Sequence, residues 1–209
     1  MIGGWRYWIV YILVRTGLFI WHPVFRVVGR ENVPKEGKLV VCSNHSGMAD
    51  PFWVCLSLGL DHLPRIMAKK ESLSYPIVGW ILRHLHVIGV DREAADVHAI
   101  KEGLRALRDE QQLLIFPEGT RVRDRNNSAP KRGALTLAAR TNAPILPVYV
   151  SMRTAPFQPV TCVIGKPYTL TFAGARATDA ELEASTQDLY SSSRKVNTPT
   201  SHMRTLSLV

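Results

Sequence analysis

Cysteine is scarce in this chain: Cys42, Cys55 and Cys162 are odd in number, far apart, and set in neither a CxxC nor a Cys/His ligand spacing. That pattern excludes a disulfide framework and a structural zinc site and implies a reducing compartment. Long apolar runs are missing too. The unbroken run Tyr7 to Val14 has eight residues before Arg15 interrupts it, whereas a membrane-spanning helix needs roughly 20. No A-x-A cleavage pattern follows, so a removable signal peptide is not expected. Acidic residues are absent from the first thirty positions, and over the whole chain 17 Asp and Glu face 26 Lys and Arg, a formal charge of +9. Such a balance implies anionic surroundings, either nucleic acid or acidic lipid. There is no zinc spacing or RNP-like string to support nucleic acid. Serine nucleophile elbows (G-x-S-x-G), internal repeats and interdomain linkers are also lacking.

What is present fits one domain, since 209 residues of which 46% are hydrophobic can bury a full core. The N-terminal stretch holds three of the five tryptophans (Trp5, Trp8, Trp21) and four arginines (Arg6, Arg15, Arg26, Arg30). Indole rings and guanidinium groups together suit an anionic bilayer surface, so residues 1–29 read as an interfacial docking segment. In a continuous helix Arg15, His22 and Arg26 would share one stripe.

Strands are expected at Lys38 to Ser43, Arg65 to Ala68, Val87 to Val90, Gln112 to Phe116, Ile145 to Val150 and Thr161 to Ile164. Helices are expected from Phe52 to Leu60, with Asp50 as N-cap and Pro51 in the first turn, and at Pro76 to Leu85, Ala94 to Asp109 and Gly133 to Arg140. The alternation implies an α/β fold: a single layered domain over residues 30–175, with a central mixed β-sheet flanked by helices. A polar helix from Asp179 to about Tyr190 and a Ser/Thr-rich disordered tail complete residues 176–209.

Two clusters carry chemistry. In Asn44-His45-Ser46-Gly47-Met48-Ala49-Asp50 the histidine and the carboxylate would lie about 140° apart on a regular helix, so they meet only if the chain turns. Ser46 and Gly47 permit that turn. With Asp50 accepting from one ring nitrogen, the other nitrogen of His45 becomes a proton acceptor, which is the base half of a triad. Without a serine elbow, the third member can be the substrate's own hydroxyl. Cys42 as a nucleophile beside His45, and a merely structural His/Asp pair, are the competing readings. The second cluster, Phe116-Pro117-Glu118-Gly119-Thr120-Arg121, follows a strand, and Arg121 could clamp a phosphate, with Lys131 and Arg132 adding to the positive field.

Over roughly residues 30 to 170 these segments resemble the glycerolipid acyltransferase family, most closely its bacterial 1-acylglycerol-3-phosphate O-acyltransferases. NHSGMAD matches the family's N-H-x4-D motif, and FPEGTR its third motif. His86 to Arg92 resembles the second, G-x-I-x-x-x-R, with His86 in place of glycine. Ala68-Lys69-Lys70-Glu71 resembles the lysine-bearing segment, and Pro144 to Val148 the fourth motif.

The resemblance implies that His45 is the general base and Asp50 its orienting partner, with Lys69, Arg92, Glu118, Gly119, Thr120 and Arg121 at the acceptor site. It implies acyl transfer from acyl-CoA or acyl-carrier protein to the sn-2 hydroxyl of 1-acylglycerol 3-phosphate (lysophosphatidic acid), with no cofactor, no metal and no nucleic-acid partner, at an anionic lipid surface on the cytoplasmic face of the cell membrane. The alternatives are another lyso-lipid acceptor, or a non-catalytic basic membrane-binding protein of the same fold.

Overall fold

Aliphatic and β-branched runs bounded by turn residues form seven strands: β1 Phe25–Val28, β2 Leu39–Ser43, β3 Arg65–Lys69, β4 Ile88–Val90, β5 Gln112–Ile115, β6 Ile145–Val150 and β7 Val160–Ile164. The computed structural model describes residues 5–59, 61–84, 87–91, 96–119, 132–151 and 156–170. Within them the strands make one sheet in the order β1-β7-β6-β2-β5-β3-β4. Strands β6, β2, β5, β3 and β4 run parallel, while β7 opposes β6 and carries β1 alongside it in parallel. The sheet is mixed, as expected.

Helices α1 Trp5–Trp21, α2 Asp50–Leu58, α3 Pro76–His84, α4 Val97–Arg108 and α5 Gly133–Thr141 accompany it. The centre of the sheet is covered on both sides, and β2 is buried along its whole length, which is why it reads as an unbroken apolar run rather than an alternating one. Val40 and Cys42 join the cluster formed with Ala106 and Leu107 of α4 and Leu135 and Leu137 of α5. Leu39 and Val41 join the opposite cluster with Trp53, Val54 and Leu58 of α2, against which Leu18 and Phe19 of α1 also pack. Each such side chain withdrawn from water contributes about 1.5–3 kcal/mol.

Two expectations are corrected, and one strand joins those expected. Asp50 does not cap α2; the N-cap is Ala49, without a side-chain bond, because the Asp50 carboxylate turns back to the preceding loop. Helix α1 stops at Trp21, so Arg15, His22 and Arg26 share no stripe: His22 is buried beyond the helix, and Arg26 is exposed on β1. Phe25–Val28, within the 1–29 segment, is hydrogen-bonded to β7 as a strand at one edge of the sheet. The helix and tail expected after residue 176 lie outside the described residues.

Candidate functional site

The site is built where β2 ends between two parallel neighbours, β5 and β6. The carboxyl edge of parallel strands is where such sheets bind ligands. Asn44 leaves β2 but completes its ladder with its side chain, donating from Nδ2 to the Val150 carbonyl at 2.9 Å and accepting the Val150 N–H at Oδ1 at 2.8 Å. These two bonds fix the chain immediately before His45.

The backbone N–H of His45 donates to Glu118 Oε2 at 3.0 Å. Glu118 is buried in the turn that follows β5, a turn closed by the Gly119 N–H donating to the Phe116 carbonyl at 3.0 Å. Gly119 has φ +66° there, a left-handed conformation that favours glycine. Phe116 precedes the turn, and its ring lies against the His45 imidazole with centroids 4.4 Å apart and planes inclined by 30°. The FPEG segment therefore holds the histidine by both backbone and ring.

Asp50 organises the other side. Its Oδ2 accepts the Ser46 and Gly47 N–H groups, each at 2.6 Å, the Ser46 hydroxyl at 3.3 Å, and His45 Nδ1 at 3.3 Å. The turn closes with the Asp50 N–H donating to the Gly47 carbonyl at 3.2 Å. Asp50 is fully buried while 13% of the His45 side chain remains exposed. A buried carboxylate needs such donors. Since a carboxylate oxygen only accepts, His45 donates from Nδ1, and Nε2 carries the free lone pair. Taking a proton at Nε2 would make an imidazolium beside Asp50, which stabilises it. The N–H groups of His45, Ser46 and Gly47 are all committed to carboxylates.

His45, Asp50, Glu118 and Gly119 are thus brought together. Lys69 closes β3 at the same edge, but β5 lies between β3 and β2, and its Nζ is 3.5 Å from Glu71 Oε1 in a largely exposed pair of the kind that contributes little. Arg92, Thr120, Arg121, Lys131 and the substituted His86 lie outside the described residues; Arg132 is exposed at the start of α5. The Cys42 side chain belongs to the core cluster under α4 and α5, and burial pushes its thiol up to about 12, so no thiolate forms near neutral pH and the nucleophile reading fails.

Asn44 and Phe116 hold His45 in place, a role that sequence reasoning missed. Their only signal was adjacency to His45 and Glu118 within the two motifs. A cleft of about 640 Å³, lined by Tyr11, Arg15, Phe19, Leu58 and His62 among others, contains none of the dyad residues.

A family model described as Acyltransferase matches residues 24–151. The 1-acyl-sn-glycerol-3-phosphate acyltransferase of Bacillus subtilis (strain 168) is 35% identical over 126 residues, covering 58% of this chain and 60% of that protein. The protein of the same name from Pseudomonas aeruginosa is 33% identical over 127 residues, covering 59% of this chain and 48% of that one. The chain therefore spans about half to three fifths of the length of these relatives. The crystal structure of the 1-acyl-sn-glycerophosphate (LPA) acyltransferase, PlsC, from Thermotoga maritima aligns with a TM-score of 0.68 at 24% identity, over 91% of this chain and 78% of that chain. That is a likeness of fold.

Proposed function

The chain belongs to the Acyltransferase family, and from that premise we propose that it transfers a fatty acyl group from an acyl thioester to the sn-2 hydroxyl of 1-acylglycerol 3-phosphate, giving phosphatidic acid. The observation that carries the proposal is the His45–Asp50 dyad at 3.3 Å, set at the carboxyl edge of the sheet in a chain that has no serine elbow. A base without a protein nucleophile suits direct transfer to an alcohol.

In the proposed reaction His45 Nε2 removes the proton of the acceptor hydroxyl as its oxygen attacks the thioester carbonyl. The tetrahedral intermediate then collapses with loss of the C–S bond, and the imidazolium returns its proton to the departing thiolate. Asp50 keeps the ring oriented throughout. Arg92 and Arg121 are the proposed partners of the acceptor phosphate, with Lys69 as an outlying third and Thr120, next to Arg121 in sequence, as a further contact. Coenzyme A or acyl-carrier protein would present the acyl group as co-substrate.

The proposed workplace is an anionic lipid surface on the cytoplasmic side of the cell membrane. Among the described residues no helix is long and apolar enough to cross a bilayer, yet α1, while packing Leu18 and Phe19 against the core, turns Ile9, Ile12, Leu13 and Ile20 outward, an apolar stripe where a soluble helix carries polar residues. Incubating the protein with radiolabelled acyl thioester and a panel of acceptors, including glycerol 3-phosphate and head-grouped lysophospholipids, tests the reaction. Labelled phosphatidic acid from 1-acylglycerol 3-phosphate alone is the expected outcome. Label in another lipid would replace the acceptor, and no label in any lipid would refute the activity.

A further inference from the structure

We infer that the Pro156–Phe157 turn is a second point of insertion into the lipid surface, forming one patch with the C-terminal end of α1 beside the site. The inference rests on the membrane part of the proposed function and adds a place and a residue to it.

Phe157 is 67% exposed and has φ +64°, a left-handed conformation rare for an aromatic residue. An outward-facing phenyl ring in a strained turn would be unremarkable if the turn were loose, but it is tied down. The Phe157 N–H donates to the Trp21 carbonyl at 2.8 Å and the Val160 N–H to the Val24 carbonyl at 2.8 Å. His22 Nδ1 lies 2.9 Å from the Gln158 carbonyl, and the buried His22 ring stands edge-on to Trp53 at 6.2 Å. The backbone thus holds Phe157 outward on a rigid base.

The same bonds join the turn to Trp21 and Val24, which are 57% and 39% exposed, and Ile20, the residue before Trp21, is 68% exposed. The patch continues into the outward stripe of α1.

Its position follows from the register. Strand β7 opposes β6 with Cys162 level with Val150, and Val150 is the residue that Asn44 grips. Val160 and its partner Phe25 therefore lie beyond that level, on the edge from which His45 emerges. Strands β7 and β1 stand two and three places from β2, a sideways separation of roughly 10–14 Å at the spacing of neighbouring strands. A bilayer touching the patch would therefore lie against the edge of the sheet that carries the dyad.

A second copy of the chain is the rival occupant. Residues 1–30 carry Arg6, Arg15, Arg26 and Arg30 and no acid, so two such surfaces would repel each other while an anionic bilayer attracts both. Tryptophan beside aliphatic groups is also the composition of a lipid interface.

Sedimentation of the full chain with phosphatidylglycerol/phosphatidylcholine vesicles tests the inference without depending on turnover. Phe157→Gly, which suits the left-handed backbone, should leave the melting temperature unchanged or raised and weaken vesicle affinity roughly five- to tenfold. Phe157→Trp should retain the affinity. Parent-like binding by Phe157→Gly, with binding lost in Ile12→Ser/Leu13→Ser, would overturn the turn as an anchor and leave the docking of α1 standing. Failure of the parent to bind vesicles would remove the reading on which both rest. Light scattering that finds a dimer dissolved by Phe157→Gly would assign the patch to a second copy and overturn the inference as well.

Discussion

His45 and Asp50 differ in what their removal leaves behind. The His45 ring makes its hydrogen bond to Asp50, lies against the Phe116 ring and remains partly open to solvent, so His45→Ala takes away the proposed base while leaving the backbone bonds of the turn in place. Acyl transfer is expected to fall by about 10²- to 10⁴-fold, with the melting temperature nearly unchanged. Asp50→Ala would also strand the Ser46 and Gly47 N–H groups that now donate at 2.6 Å. A buried donor without a partner costs about 1–3 kcal/mol, so this variant should lose activity and melt several degrees lower, at about 2–4 °C per kcal/mol for a chain of this size. Parallel thermal melts check the contrast, and equal melting temperatures would mean that Asp50 does not hold the turn. The dyad was legible because its residues lie five apart with a serine and a glycine between them. The Glu118 bond to the His45 backbone spans 73 positions and the Phe116 ring contact depends on β5 lying beside β2, which no local spacing encodes.

At the level of elements, periodicity located most strands and helices to within a residue or two, and the misses have physical causes. Asp followed by Pro reads as a helix cap, but the demand of the His45 turn for a buried acceptor outweighed capping at α2. Phe25–Val28 is too short for a pattern of its own and reads as a continuation of the apolar N-terminal stretch; only its partner β7 defines it. A true carboxylate cap occurs at α4, where Asp96 accepts the Asp91 N–H at 2.7 Å and the Ala99 N–H at 2.8 Å. Those bonds, Asp91's first, lower its carboxyl pKa below the usual value near 3.8. A depressed pKa adds stability that is full above the unfolded value and is lost as pH falls through the folded one. Asp96→Asn retains a capping oxygen without the titration. The parent should therefore lose melting temperature more steeply than Asp96→Asn as the pH drops below about 4. Identical acid slopes in a pH series of melts would dismiss the cap as a contributor.

For the whole molecule, the +9 charge and the outward apolar stripe of α1 combine into one expectation about binding, but the helix cannot simply be cut away to test it. Deleting residues 1–28 would remove β1, leaving β7 as an unpaired edge, and would strip Leu18 and Phe19 from the core they pack against. Open edges and uncovered cores aggregate, so loss of binding in that deletion would say nothing about lipid. Ile9, Ile12 and Leu13 are 45%, 56% and 63% exposed, and replacing all three with serine leaves the sheet and both core clusters intact. The triple variant should melt like the parent and bind anionic vesicles on the order of a hundredfold more weakly, as expected when three aliphatic side chains no longer leave water. Its residual binding should come from the arginines together with the Phe157 patch, and should be more sensitive to ionic strength than the parent's. The parent should lose only part of its affinity to salt, because apolar insertion is not screened. Parent-like vesicle affinity in the triple variant would mean that the outward stripe of α1 serves another purpose, and complete release of the parent by salt would mean that charge alone holds the protein to the surface.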